Sequence, residues 1–149
     1  MQGPEQRLPE DVLSRASLRG SEYAWHPDHL SDIVAAAQTV GLATCAGTFQ
    51  YRIPIGTCEL YWIDFDNYDR IDRVAPWDEI VRLTGGWALE AIETLRSTFD
   101  FEAEGVRAFK DVMALRDAGT DVSQYECFVL YFETAESLRT LDNQFSRRK

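Results

Sequence analysis

The stretch Thr44 to Phe65, TCAGTFQYRIPIGTCELYWIDF, limits the possible folds more than any other, because two runs of strand-forming residues flank Pro54, Ile55, Gly56 and Thr57. Proline presets φ at one turn position and glycine accepts the positive φ that tight turns often need, so the segment reads as a β-hairpin. With the turn centred on Ile55 and Gly56, Ile53 faces Cys58, Tyr51 faces Leu60 and Phe49 faces Trp62 on one apolar side. On the other side Arg52 faces Glu59, Gln50 faces Tyr61 and Thr48 faces Ile63. This register joins an apolar face to an opposite-charge cross-strand pair, and a one-residue slip loses both. The second strand is apolar on both sides across Leu60, Tyr61, Trp62 and Ile63, which places it in the interior of a sheet.

Around the hairpin the chain alternates helix and strand signals. A brief helix is expected from Pro9 to Leu18, ended by Gly20, followed by an extended segment at Ser21 to Trp25. Pro27 to Val40 reads as a helix with Leu30, Ile33, Val34, Ala37 and Val40 as its apolar stripe and Gly41 as its stop. Trp77 to Phe99 carries the longest helical period, with Trp77, Ile80, Val81, Thr84, Trp87, Ala88, Ala91, Ile92, Leu95 and Phe99 on one side. Gly85 and Gly86 interrupt it, marking a bend, a split or a close approach of another part of the chain. Phe101 to Ala118 makes a further helix with Asp100 as N-cap and Phe101, Val106, Phe109, Val112 and Met113 inward. Tyr125 to Phe132 is nearly unbroken apolar sequence and is expected in the middle of the sheet, and Thr134 caps a last short helix. The fold class is therefore α+β: one domain over residues 1–149, with an antiparallel or mixed sheet of about four strands, helices packed on it, and flexible ends at 1–8 and 146–149. A chain of 149 residues buries roughly 70% of its extended surface, enough for a core without staples.

Charge narrows the partners. The net charge is −10, and between Glu59 and Glu104 twelve acids stand against four arginines. A nucleic-acid binder needs a cationic face to displace counterions from phosphate, so nucleic acid is excluded and a basic protein is the complementary partner. The basic residues are 13 arginines and 2 lysines, a skew expected of a GC-rich bacterial genome. No apolar run approaches the ~20 residues that cross a bilayer, and the N-terminal residues lack a secretion signal, so no membrane association and a cytoplasmic location are expected.

Most chemical signatures are absent: the sequence has no phosphate loop, no dinucleotide fingerprint, no nucleophile elbow and no HExxH. No catalytic residue, metal ligand or cofactor is assigned. Three cysteines, Cys45, Cys58 and Cys127, sit in apolar strand contexts as small buried hydrophobes. His26 and His29 flank a helix start and lack a third ligand. The acidic loop from Asp64 to Asp72 fails as a calcium loop, since Asp69 stands where glycine is needed and Ala75 where glutamate is needed.

At GSEYAW, at FQYRIPIGTCELYW and at PWDE the chain resembles a group of uncharacterised small acidic bacterial proteins, a resemblance that implies no activity and no site residues. In size, acidity and α+β make-up it is also similar to immunity proteins that neutralise bacterial toxins. The leading expectation is a non-enzymatic protein-binding domain, in its concrete form an inhibitor of a basic toxin. Its acidic face would comprise Asp64, Asp66, Asp69, Asp72, Glu79, Glu90 and Glu93, with Leu83 and Leu89 as apolar anchors. The alternative is a small-molecule binder or an enzyme of unfamiliar type, with a pocket near Glu22, Trp25, Tyr51 and Trp62. Homodimerisation through an apolar sheet face or the two leucines is compatible with either.

Overall fold

Pro54 and Ile55 alone form the turn at the centre of the chain, joining β3 (Ala43–Ile53) to β4 (Gly56–Asp66) in a computed structural model that describes residues 3–147. Before them come a 3-10 turn at Pro4–Arg7, α1 (Glu10–Ser14), β1 (Ser17–Arg19), β2 (Glu22–Ala24), a 3-10 turn at Pro27–His29 and α2 (Leu30–Thr39). After them come a 3-10 turn at Tyr68–Arg70, α3 (Trp77–Thr98), α4 (Phe101–Ala108), α5 (Lys110–Asp117), a 3-10 turn at Val122–Tyr125, β5 (Glu126–Glu133) and α6 (Ala135–Arg147). The helices pack on antiparallel sheets, an α+β domain: a two-stranded ribbon β1-β2 and a three-stranded sheet in the order β4-β3-β5. Of the expected flexible ends, residues 1, 2, 148 and 149 lie outside the described residues, while Leu8 is buried in the core.

The hairpin register differs from the expected one by two residues. Tyr51 faces Cys58, Gln50 faces Glu59, Arg52 faces Thr57 and Phe49 faces Leu60. Gly56 is not among the glycines with positive φ, so its conformational freedom is unused; it opens the strand instead of closing the turn. A shift of two preserves sides, and Phe49, Tyr51, Ile53, Cys58 and Leu60 still point into the core. The Arg52–Glu59 pair does not form.

Past Leu60 the pairing jumps, with Thr48 opposite Asp64 and Gly47 opposite Phe65. Residues 61–63 bulge from the ladder, and because their number is odd the strand changes sides within them. Trp62 and Ile63 both pack inward, Phe65 stays inward, and Tyr61, Asp64 and Asp66 point away from the core. That reversal is why four consecutive apolar residues do not make an interior strand. β4 is an edge, and the centre of the sheet is β3. β5 is likewise not central: one edge pairs with β3, and among the described residues the other carries a single isolated bridge, to Trp25, whose backbone N–H and C=O exchange bonds of 3.0 and 2.8 Å with Phe128. Its second apolar side is accounted for by Cys127 and Val129, which form a small cluster with Ala24 of the ribbon.

On the core side, α2 contributes Ile33, Val34 and Ala37, and α3 contributes Ala88 and Ile92. α3 runs unbroken through both glycines; a Cβ on Gly85 would stand 2.2 Å from Gln38 Nε2, whereas one on Gly86 would meet nothing within 4 Å. The helix expected over residues 101–118 breaks at Phe109, where φ −133° and ψ 115° are extended. The restart shifts the helical phase, so Met113, expected inward, is 40% exposed. The helix expected from Pro9 to Leu18 ends at Ser14, and Leu18 belongs to the ribbon, whose turn uses Gly20 at φ +62°.

Candidate functional site

Cross-strand partners point to the same side of a sheet, so the register defines what lies on the face turned away from α2 and α3. Three rows cross it: Glu59, Gln50 and Cys127; Asp64, Thr48 and Val129; Asp66, Ala46 and Tyr131. The ribbon covers one end. Arg52, deeply buried, donates from Nε to Gln50 Oε1 at 2.6 Å, from Nη1 to the carbonyls of Ser17 at 2.6 Å and Glu22 at 3.1 Å, and from Nη2 to Glu22 Oε1 at 3.2 Å. Arg19 reaches back, donating to the Ile53 carbonyl at 2.7 Å and Thr57 Oγ1 at 3.0 Å. A buried guanidinium is tolerable only when its donors are satisfied, and here two main-chain carbonyls and the side-chain oxygens of Gln50, Ser17 and Glu22 share that task.

The other end of the face is open. Tyr61 is 72% exposed and Tyr131 43%, and Glu59, Asp64 and Asp66 are exposed beside them. Burial raises the pKa of the Tyr131 phenol, the Glu22 charge raises it further, a hydrogen bond with Thr48 pulls it down, and Glu59 adds a smaller rise. The ring therefore sits in a negative field between the ribbon and the edge strand.

Between the ribbon and β5 lies a cavity of about 210 Å³ whose wall includes Glu5, Glu22, Tyr23, Trp25, Val129 and Tyr131. Tyr23 stacks on Trp25 with ring centres 6.1 Å apart, and Trp25 Nε1 donates to the Val12 carbonyl at 3.0 Å, which fixes the back wall. Glu22 and Trp25, two residues expected at a pocket, line this cavity. The other two do not. Tyr51 is on the core side, donating to Glu126 Oε2 at 3.0 Å with its ring against Gly105, and Trp62 lies beneath the Arg107 guanidinium at 5.9 Å. Burial pushes the Glu126 carboxyl up, and the Tyr51 hydrogen bond pulls it partly back.

The acids expected to form one binding face are divided by the sheet. Asp64 and Asp66 are on the open face, with Asp66 Oδ1 accepting from the Tyr68 N–H at 2.9 Å. Asp69 and Asp72 are exposed in the loop after β4, where Asp72 Oδ1 accepts from the Val74 N–H at 3.1 Å. Glu79, Glu90 and Glu93 are on the solvent side of α3, which packs on the opposite sheet face. Both leucines are half-buried: Leu83 lines a small cavity with Ile71 and Trp87, the latter capped by Arg70 at 4.1 Å, and Leu89 packs against the core. Glu5, Glu59, Tyr61 and Tyr131 escaped the sequence reading. The only signal for the edge-strand pair was their spacing of two, which the bulge obscured.

The cysteines are free and buried, and burial pushes the Cys45 and Cys127 thiols up to about 12, which suppresses the thiolate a nucleophile needs. His26 shapes the start of the helix: Nδ1 accepts from the Asp28 N–H at 3.1 Å while Nε2 donates to the Ser123 carbonyl at 2.9 Å. Among the described residues no three His, Cys, Asp or Glu side chains group to hold a metal, and no helix is long and apolar enough to cross a membrane. None of the protein-family models, curated proteins or solved structures compared with the chain matches it significantly.

Proposed function

We propose that this protein is a non-enzymatic acidic binding domain that docks a basic protein partner on its open sheet face, an inhibitor of a basic toxin being the concrete form. The observation that carries the reading is the sharing of one uncovered face by Glu59, Asp64 and Asp66 with the exposed rings of Tyr61 and Tyr131. Tyrosine offers a large contact area at low entropic cost, and flanking carboxylates steer a cationic partner and fix its register. A second copy of the chain is a poor occupant, because a two-fold contact would set this net charge of −10 and the same acids against themselves. The small cavity beside the ribbon is below the ~300 Å³ at which small-molecule sites begin, which weighs against a metabolite in that cavity.

The test is affinity capture from bacterial lysate with two charge-neutralised baits. One carries Glu59→Gln, Asp64→Asn and Asp66→Asn; the other carries Glu79→Gln, Glu90→Gln and Glu93→Gln on α3. One basic protein retained by the native bait, lost by the first variant and kept by the second is the expected outcome, with weaker retention at an ionic strength of about 0.3 M than at about 0.05 M. Loss with the α3 variant alone would move the site to the other side of the molecule, and retention by both variants would end the reading.

A further inference from the structure

We propose that the cavity between Glu5, the ribbon and Tyr131 is a receptor for one arginine side chain of the partner, an inference that rests on the docking face described above. Size comes first: about 210 Å³ suits a single long side chain and is below the range of drug-sized ligands. The walls suit a flat cation. Tyr23 and Tyr131 present rings, with Trp25 stacked behind Tyr23, and a guanidinium pairs with aromatic faces and carboxylates more effectively than a compact ammonium.

Charge comes second. Glu22 Oε1 accepts from Arg52 at 3.2 Å, the Glu22 side chain is 48% exposed, and the residue lines the cavity. Arg52 offsets the Glu22 charge, and Glu5, whose carboxylate lies against Gly3, is in the same wall, so the lining residues carry a net negative charge. The field felt by the Tyr131 phenol agrees in sign, since the Glu22 charge acts on it beyond burial. Arg52 is also an internal precedent, a guanidinium held by Glu22 together with ribbon carbonyls. Tyr131 belongs both to this wall and to the open face, which makes the cavity continuous with the surface where a basic segment would lie.

The experiment titrates the whole protein with N-acetyl-arginine methylamide and follows amide and indole resonances by NMR. N-acetyl-citrulline methylamide, equal in shape but uncharged, and the lysine analogue serve as comparison ligands. Saturable shifts at Ser21 to Trp25 and Val129 to Tyr131 with arginine, at least about tenfold weaker affinity for citrulline and for lysine, and a similar loss in Glu5→Gln are expected. Tyr131→Leu, checked for an unchanged melting temperature, should also weaken binding. Equal responses to arginine and citrulline, arginine shifts elsewhere on the molecule, or a lysine response as strong as arginine's would each overturn the assignment. The two readings fail separately: a captured basic partner that leaves these resonances unmoved removes the cavity and keeps the docking face, whereas arginine binding without any captured partner does the reverse.

Discussion

Two adjacent glycines in α3 should respond to the same substitution with opposite results. Gly86 is exposed, lies in the interior of a 22-residue helix, and has nothing within 4 Å of where a Cβ would sit. Gly86→Ala therefore collects the helix-propensity difference without a steric cost, about 0.8–1 kcal/mol. In a domain of 149 residues that corresponds to about 2–4 °C in melting temperature. At Gly85 the same gain is opposed. The new methyl would stand 2.2 Å from Gln38 Nε2, 2.7 Å from Cδ and 3.0 Å from Cγ, so the amide must leave its place between α2 and α3. It would give up its bond to the Arg82 carbonyl, long at 3.4 Å, and the contacts around a half-buried side chain. A net bond is worth about 1 kcal/mol, so the balance for Gly85→Ala is near zero or destabilising. Urea unfolding of the two variants, and of Gly85→Ala in a Gln38→Ala background, separates the contributions. Gly86→Ala should raise the midpoint, Gly85→Ala should not, and the Gln38→Ala background should restore the gain. A Gly85→Ala variant as stabilised as Gly86→Ala with Gln38 intact would refute the reasoning.

Two further outcomes concern titration. Cys45 and Cys127, whose thiols burial pushes up to about 12, should resist thiol reagents at pH 8 in the native protein and react only at the rate of unfolding, followed with a chromogenic disulfide. Because these pKa values are raised, the stability they contribute is complete below the ordinary thiol range and lost as pH climbs through about 12; fast native-state labelling would contradict it. Glu126, also raised by burial, favours its neutral form, so its contribution is present at acid pH and lost as pH rises through its raised value. Glu126→Gln, which keeps an oxygen for the Tyr51 hydroxyl, should thus gain stability relative to the native protein between pH 4 and pH 7 in thermal melts, and an unchanged difference across that range would count against it.

The sidedness of the hairpin was legible because alternation survives a two-residue change of register: Phe49, Tyr51 and Leu60 were assigned inward and are inward. Turn length was not, since Pro54, Ile55, Gly56 and Thr57 support two turns and only the assembled sheet selects between them. The bulge was illegible for a related reason. Tyr61, Trp62 and Ile63 are all apolar, so nothing in their chemistry marks where the strand changes sides, and the open face depends on that change. Asp64 and Asp66 could be found as charges, but their separation from Glu79, Glu90 and Glu93 required knowing which face α3 covers. Arg52 looked like half of a cross-strand pair, and its true partners are 30 and 35 residues away in the chain, in an element read partly as helix.

Arg52 and Arg19 clasp the ribbon to the sheet through three main-chain carbonyls, those of Ser17, Glu22 and Ile53, and through the side-chain oxygens of Ser17, Glu22 and Thr57. Half of such a clasp is indifferent to the side chains it holds in place, and none of it uses the side chain of Ser21 or Tyr23. The ribbon can therefore exchange Ser21 at its tip and Tyr23 within β2 while its attachment persists. A lineage can in this way remodel the mouth of the cavity for a new partner and leave the foundation of the fold untouched, provided Arg19, Glu22 and Arg52 are kept.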